Sequence, residues 1–205
     1  MLFGLANKKN KEDIMKKILS AIILATCLIG CNGCGPTPVI IDDGEQDPYP
    51  FATWDSCDAE VGSHPCNFSL KDQNGNEVNL YDFYGEPIVL DFSAMWCGPC
   101  QSAAGGIDET VAAFPEINYI TVLIENSFGE DPTTNNLTWW AETFNISEPV
   151  LAGNRSLLKP SDPHGWPLES WPTFFYINED MELVYTHRGY SQYTVDQNVE
   201  ALLSD

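Results

Sequence analysis

The chain has 205 residues, with 30 Asp and Glu against 9 Lys and Arg and a formal net charge of −21 at pH 7. The length suits one ordinary domain with extensions, and the acidity excludes nucleic acid and anionic membrane surfaces as electrostatically favoured partners. Five lysines fall in residues 1–30, so residues 31–205 hold 4 basic and 28 acidic side chains, a net of −24. A solvated acidic surface favours solubility and by itself identifies no substrate.

Lys16-Lys17 followed by the apolar residues 18–29 has the charged start and short hydrophobic core of an export signal. The run is shorter than the roughly 20 residues that a transmembrane helix needs. It ends Leu28-Ile29-Gly30-Cys31, which resembles a bacterial lipobox with Cys31 as the lipidated first residue of the mature chain. Leu24-Ala25-Thr26-Cys27 is a poorer match, because threonine precedes the cysteine. Residues 1–14 lack signal character, so translation is expected to begin at Met15. An uncleaved signal anchor is the alternative. The chain is thus expected to divide into an extension and signal peptide (1–30), a flexible tether (31–50) and a domain (51–205). The tether is rich in Gly, Pro and Asp and has almost no apolar pattern beyond Val39-Ile40-Ile41, a composition that stays extended.

Export places the domain where disulfides persist. Cys57 and Cys66 are then expected to form a structural disulfide, leaving Cys34 over. Pairing of Cys34 with either of them, which would pin the tether to the domain, stays open. Residues 51–65 are expected to form a small stapled cap. Phe68-Ser69-Leu70 and Val78-Asn79-Leu80 alternate around Asn74-Gly75, the signal of a β-hairpin.

Residues 88–92, Ile-Val-Leu-Asp-Phe, are nearly continuous in hydrophobicity and suit a central strand covered on both faces. Asp91 breaks the run, and a buried carboxylate is costly unless paired or protonated. Trp96-Cys97-Gly98-Pro99-Cys100 follows, where the strand meets a helix-like stretch. Two cysteines separated by two residues can close a small disulfide ring, and unpaired N–H groups at a helix start stabilise a thiolate at the first. Cys97 is the expected nucleophile. Gly98 permits the tight turn, and Pro99 loses an N–H that had no intrahelical partner. Structural zinc would need four ligands, and no second closely spaced pair follows downstream. No cofactor is expected, and no internal repeat, phosphate loop or serine-hydrolase motif is present.

Ala103-Ala104-Gly105-Gly106 places two helix-weakening glycines after the dithiol, each costing about 1 kcal/mol relative to alanine. A bent helix, or close packing against a neighbour, is expected there. Ile107, Val111 and Phe114 continue an apolar helical face as far as Pro115. Residues 119–124 read as a second central strand. Residues 133–144 read as a covering helix on the spacing of Leu137, Trp140, Ala141 and Phe144. Val150 and Leu151 suit a short strand, and residues 159–170 a loop approaching the dithiol. Residues 174–177 form a further strand, the turn Asn178-Glu179-Asp180 leads into a strand over 183–186, and a last helix ends near Leu203. His64, His164 and His187 form no helical or hairpin metal cluster and read as surface or loop residues.

Residues 89–100 resemble the active-site strand and helix start of thioredoxin, and Trp171-Pro172-Thr173-Phe174-Phe175 resembles that family's cis-proline segment. Residues 61–70 look more like the membrane-anchored TlpA/ResA-type branch, whose approach is shared with peroxiredoxins. The resemblance covers residues 61–203. It implies an α/β thioredoxin fold, with a central mixed sheet flanked by helices and an N-terminal hairpin extension. It also implies that Cys97 and Cys100 are the redox pair and that Asp91 shuttles the proton of the resolving thiol. Trp96, Gly98 and Pro99 would support the site. Pro172 would face Cys97 and limit metal access, while Trp171 and Gly189 would bind a polypeptide substrate. The chain departs from the pattern at Gln101, where thioredoxin usually has lysine, and at the bulky Trp171. Asp91 itself departs from the TlpA/ResA branch, where the acid commonly sits elsewhere.

The function implied is a lipoprotein thiol–disulfide oxidoreductase of the bacterial cell envelope that reduces disulfide-containing envelope proteins and is re-reduced by a membrane electron donor of the reductant-carrier type. A disulfide-forming oxidant is the alternative direction. A copper chaperone on the same fold, using both cysteines with His164 or His187, is a third reading, supported only by copper's preference for thiolate and imidazole.

Overall fold

Alternating residues fold back on one another first. Strands β1 (Ser69–Lys71) and β2 (Glu77–Asn79) pair antiparallel as a separate two-stranded hairpin. Gly75 takes a positive φ of 82° in the turn, and the Asp72 carboxylate accepts from the backbone N–H groups of Asn74 and Asn76, both at 2.8 Å. The computed structural model describes residues 47–158 and 165–204. Cys31, Cys34, the signal sequence, most of the tether and His164 lie outside those residues.

The apolar runs form one five-stranded mixed sheet in the order β5-β4-β3-β6-β7. Strand β3 (Ile88–Ala94) is central and every residue in it is buried. It pairs parallel with β4 (Asn118–Glu125), which pairs parallel with the short β5 (Val150–Ala152). On its other side β3 pairs antiparallel with β6 (Thr173–Ile177), and β6 with β7 (Leu183–Arg188). The expected central mixed sheet and preceding hairpin are both present.

Strand alternation sends successive side chains to opposite faces. On one face Val89, Tyr119, Leu123, Phe174 and Tyr176 pack with Cys97, Cys100, Trp140, Val195 and Val199. On the other, Ile88, Leu90, Phe92, Ile120, Val122, Phe175 and Ile177 pack with Phe68, Leu80 and Trp166. Trp166, which the sequence places in a plain loop, is 2% exposed, its ring 5.0 Å from Phe92 and 4.8 Å from Phe175.

The helix after the dithiol is interrupted. Helix α1 (Gly98–Ala104) stops at Gly105, and α2 (Ile107–Ala113) restarts after Gly106. Both physical readings of the glycine pair apply, because a Cβ on Gly106 would fall 2.1 Å from the side-chain oxygens of Gln192 and Tyr190. Helix α3 (Thr134–Phe144) buries Leu137, Trp140 and Ala141 along one stripe, and Thr133 and Asn136 form its capping box. Helix α4 (Gln192–Leu202) buries Val195, Val199 and Leu202. Among the described residues no helix is long and apolar enough to cross a membrane.

Ahead of the hairpin, a disulfide joins Cys57 and Cys66, with Cα atoms 4.9 Å apart. The stapled segment is held to β7 by hydrogen bonds from Leu183 N to Ser63 O and from Gly62 N to Leu183 O. Trp54 stacks on His64 at 4.1 Å, and the His64 Nδ1 lies 3.1 Å from the Met181 carbonyl oxygen.

Candidate active site

The dithiol sits where β3 ends. Cys97 is the N-cap of α1, Pro99 lies in the first turn, and the backbone N–H of Cys100 donates to the Cys97 Sγ at 3.2 Å. The helix start thus aims an amide that has no intrahelical partner at the Cys97 sulfur, an arrangement that favours a thiolate. The two cysteines are joined in a disulfide, with Cα atoms 5.2 Å apart. Cys97 is 4% exposed and Cys100 fully buried, while Gly98 and Pro99 are exposed. Of the two, only Cys97 keeps any solvent exposure.

Beneath the dithiol, Asp91 lies on the same sheet face and is 1% exposed. Its Oδ1 accepts from the Ser93 hydroxyl at 2.8 Å, and its Oδ2 has no hydrogen-bond partner. Burial pushes the carboxyl up to about 7, against the lowering effect of that single hydroxyl. Among the described residues no ion pair reaches it, and its register partner on β4 is Thr121, whose hydroxyl is also buried and unpartnered. Burial, reinforced by the Asp91 charge at Tyr119 and Tyr176 and first by the Asp196 charge at Tyr190, raises these three phenols above their ordinary range.

Antiparallel pairing brings the other half of the chain to the same end of the sheet. Phe92 pairs with Thr173, so Pro172 falls at the end of β3 from which the dithiol loop departs. The Trp171–Pro172 peptide bond is cis. Pro172 is buried and Trp171 half-buried, and the Pro172 carbonyl accepts from Gly189 N at 2.9 Å. Gly189 has φ of 78°, with open space where a Cβ would stand. Cys97, Cys100, Trp96, Gly98, Pro99, Pro172, Trp171 and Gly189 all stand at this end, around or beside the redox pair.

Two groups escaped the sequence reading. Glu125 ends β4 and is 3% exposed. Its carbonyl accepts from Met95 N, its Oε2 accepts from the Trp96 indole N–H at 2.7 Å, and its Oε1 pairs with Arg155. The signal was available, since Glu125 closes a buried apolar run as Asp91 interrupts one. The second group joins helix α4 to the helix break. Tyr190 Oη donates to Gln192 Oε1 at 2.5 Å, and Gln192 Nε2 donates to Thr110 Oγ1 at 2.6 Å and to Asp196 Oδ1 at 2.8 Å.

His187 corrects an expectation. It is on β7 rather than in a loop, half-buried and stacked on Phe174 at 4.5 Å. Its Nδ1 is 3.2 Å from both Tyr176 Oη and Asn198 Nδ2. Burial pushes its pKa down to about 4. Among the described residues no group of three or more His, Cys, Asp or Glu side chains is placed to hold a metal ion.

The AhpC/TSA family model matches residues 61–186. A thiol-disulfide oxidoreductase ResA from Bacillus thuringiensis subsp. konkukian is 32% identical over 135 residues, 63% of this chain and 70% of that one. Among solved structures, the putative thiol:disulfide interchange protein DsbE from Chlorobium tepidum superposes with a TM-score of 0.58 at 22% identity, over 70% of this chain and 98% of that one. The pneumococcal exposed lipoprotein thioredoxin Etrx1 from Streptococcus pneumoniae gives 0.55 at 26% identity, over 67% of this chain and all of that one.

Proposed function

Because the chain belongs to the AhpC/TSA family and is a thioredoxin-fold thiol–disulfide oxidoreductase of the ResA kind, we propose that it works as a reductase of protein disulfides. The observation that carries this chemistry is Asp91: a buried carboxyl on the dithiol face, held near 7, is suited to exchange a proton with a thiol at physiological pH, and Cys97-Gly98-Pro99-Cys100, which resembles the sequence of reducing thioredoxins, supports the reducing direction. In the reduced protein, the Cys97 thiolate attacks one sulfur of a substrate disulfide. That S–S bond breaks, one substrate sulfur leaves as a thiol, and a mixed disulfide forms. Cys100 then gives its proton to Asp91 and attacks the Cys97 Sγ. The mixed disulfide breaks, the second substrate sulfur leaves and takes up a proton, and the Cys97–Cys100 disulfide remains. Two electrons and two protons pass to the substrate. A dithiol donor must restore them, and a membrane reductant carrier fits that role in an oxidising compartment.

Equilibrating the Cys97–Cys100 pair with glutathione or dithiothreitol tests the direction. A potential near thioredoxin's, about −270 mV, is expected; one near about −120 mV would mark an oxidant and reverse the assigned electron flow.

We also read residues 1–30 as an export signal, Cys31 as the lipidated residue and residues 31–50 as a tether holding the domain outside the cytoplasm on a membrane. The lipobox-like Leu28-Ile29-Gly30-Cys31 supports this, as does the likeness to a protein described as an exposed lipoprotein. Mass spectrometry of the mature N-terminus decides it: an intact peptide spanning Leu28 to Cys31 would sink the anchor.

A further inference from the structure

Gln101 stands exposed on α1, one residue beyond the dithiol, where the chain departs from the lysine usual in thioredoxin. An exposed glutamine on a helix has water as a ready partner. This one turns back instead, and its Nε2 donates to the Met95 carbonyl at 2.9 Å. Only the nitrogen end of the side-chain amide can face a carbonyl oxygen in this way, so the contact fixes the orientation of the amide. The backbone N–H of Gln101 also donates to the Cys97 carbonyl, at 3.1 Å. One residue therefore grips the loop on both sides of Trp96.

That loop decides where the sulfur stands. Met95 N donates to the Glu125 carbonyl at 2.9 Å, so Met95 is held through its amide by β4 and through its carbonyl by Gln101. Cys97 N donates back to the Ala94 carbonyl at 3.1 Å, and the Cys97 Sγ lies 3.2 Å from the Cys100 amide that points at it. Trp96, 48% exposed, hangs between the two held residues.

Alignment counts for more here because charge gives little help. Among the described residues Arg155 and Arg188 are each paired with a carboxylate, and Lys71 ends β1 in the hairpin. Stabilisation of a thiolate at Cys97 then falls to N–H groups aimed at the sulfur, and such bonds weaken steeply when misaligned.

We propose that Gln101 is a positioning residue for the redox reaction: its side-chain amide ties residues 95–97 to α1, and this tie keeps the Cys97 Sγ over the Cys100 N–H and its thiolate reactive. The inference rests on the reading of Cys97 as the attacking thiol. It holds for either direction of electron flow, because the Cys97 thiolate attacks in one and leaves in the other.

The test uses the full-length protein, reduced beforehand. It follows alkylation by iodoacetamide across pH, with peptide mapping of the label, beside the exchange rate with hydroxyethyl disulfide. Gln101→Met keeps the length and the helix propensity and deletes the donor. Gln101→Lys keeps a donor and adds a charge, while Gln101→Glu keeps the shape and, ionised, cannot donate. Near neutral pH, Gln101→Met is expected to slow both reactions about fivefold, the worth of one hydrogen bond. The rise of its alkylation rate should move to higher pH and reach the same plateau as the parent's. In about 1 M NaCl, where charge is screened, Gln101→Lys should match the parent and Gln101→Glu should stay slow. A Gln101→Met protein with the parent's rate and pH profile would overturn the proposal. So would one slowed by the same factor at every pH, plateau included, because access and not thiolate formation would then have changed. Lys and Glu variants that depart from the parent in opposite directions at low salt and both return to it at high salt would overturn it as well, since charge alone would be acting. A label on Cys100 in the unmodified protein would instead sink the reading of Cys97 as nucleophile, and this inference with it.

Discussion

The same strands build two unlike faces of the central sheet. Along β3, Ile88, Leu90 and Phe92 turn to a face that is apolar and closed by Phe175, Ile177 and Trp166. Val89, Asp91 and Ser93 turn to the face that holds both redox cysteines, where buried polar groups stand among a large set of apolar ones. The buried side-chain atoms that lack a hydrogen-bond partner among the described residues are Asp91 Oδ2, Thr121 Oγ1, Trp140 Nε1 and His187 Nε2, and all belong to that second face. Buried polar groups without partners are normally rare because each costs about 1–3 kcal/mol. Their confinement to the dithiol side teaches that this face, which also carries a large apolar core, gives up some stability to bury unpartnered polar groups that the closed face lacks among the described residues.

The sharpest break in this division is at the sulfur itself. Cys97→Ala removes the nucleophile and should lower disulfide reduction by about a thousandfold or more, with little change in unfolding midpoint. Cys100→Ser should instead accumulate the mixed disulfide, visible as a mass-shifted species on non-reducing gels. Loss of folding in either variant would mean that the dithiol face carries more of the stability than its packing implies.

On the closed face the balance reverses. Trp166→Ala empties a site walled by Phe92, Phe175 and Phe68 and should cost about 3–5 kcal/mol in chemical denaturation. The potential of the Cys97–Cys100 pair should stay where it was. A shifted potential would show that the two faces are coupled through β3.

Asp91→Asn carries the comparison to the polar side. The native carboxyl binds its proton more tightly than the unfolded chain does, with a pKa near 7 against 3.8. The contribution of Asp91 to stability is therefore most favourable below about pH 4, where both states are protonated, and falls as the pH rises to about 7. Replacing the carboxyl removes a penalty of up to roughly 4 kcal/mol. The variant should be more stable than the parent at pH 8 and indistinguishable from it at pH 3. Its resolution step should slow about a hundredfold and lose the rise in rate as pH passes through about 7. A variant destabilised at pH 8 would mean that Asp91 is paired and not strained.

Much of this was legible in the chain because it is written in local patterns. The continuous run at 88–92, the hairpin signal at Asn74-Gly75, the spacing of Leu137, Trp140 and Ala141, and the Cys-Gly-Pro-Cys turn each specify their own backbone. Asp91 stood out because a lone acid in an apolar strand demands a reason. What stayed hidden depends on distant partners. Trp166 is core because β3 and β6 leave a hollow above Phe92 and Phe175, and nothing in its Pro- and Gly-rich surroundings says so. His187 alternates with exposed Thr186 and Arg188 on an edge strand, so its half-burial follows from the Phe174 ring opposite and from Asn198 on α4. The partnership of Glu125 with Trp96 and Arg155 needed the register of β3 on β4.

The smallest of these effects tests how the closed face is extended beyond the sheet. The Cys57–Cys66 bridge spans a sequence separation of 9, and closing so short a loop restricts the unfolded chain by about 2–3 kcal/mol. The segment that it staples adds Ala59 and Phe68 to the apolar face and is tied to Leu183 through Ser63 and Gly62. A Cys57→Ser/Cys66→Ser double variant should therefore lose about 2–3 kcal/mol in denaturant. It should keep its reduction potential and its rate on hydroxyethyl disulfide, because the staple is tied to the rest of the domain through Leu183 and Met181. If the rate fell with the stability, the division of labour between the faces would fail at the point where the chain enters the domain.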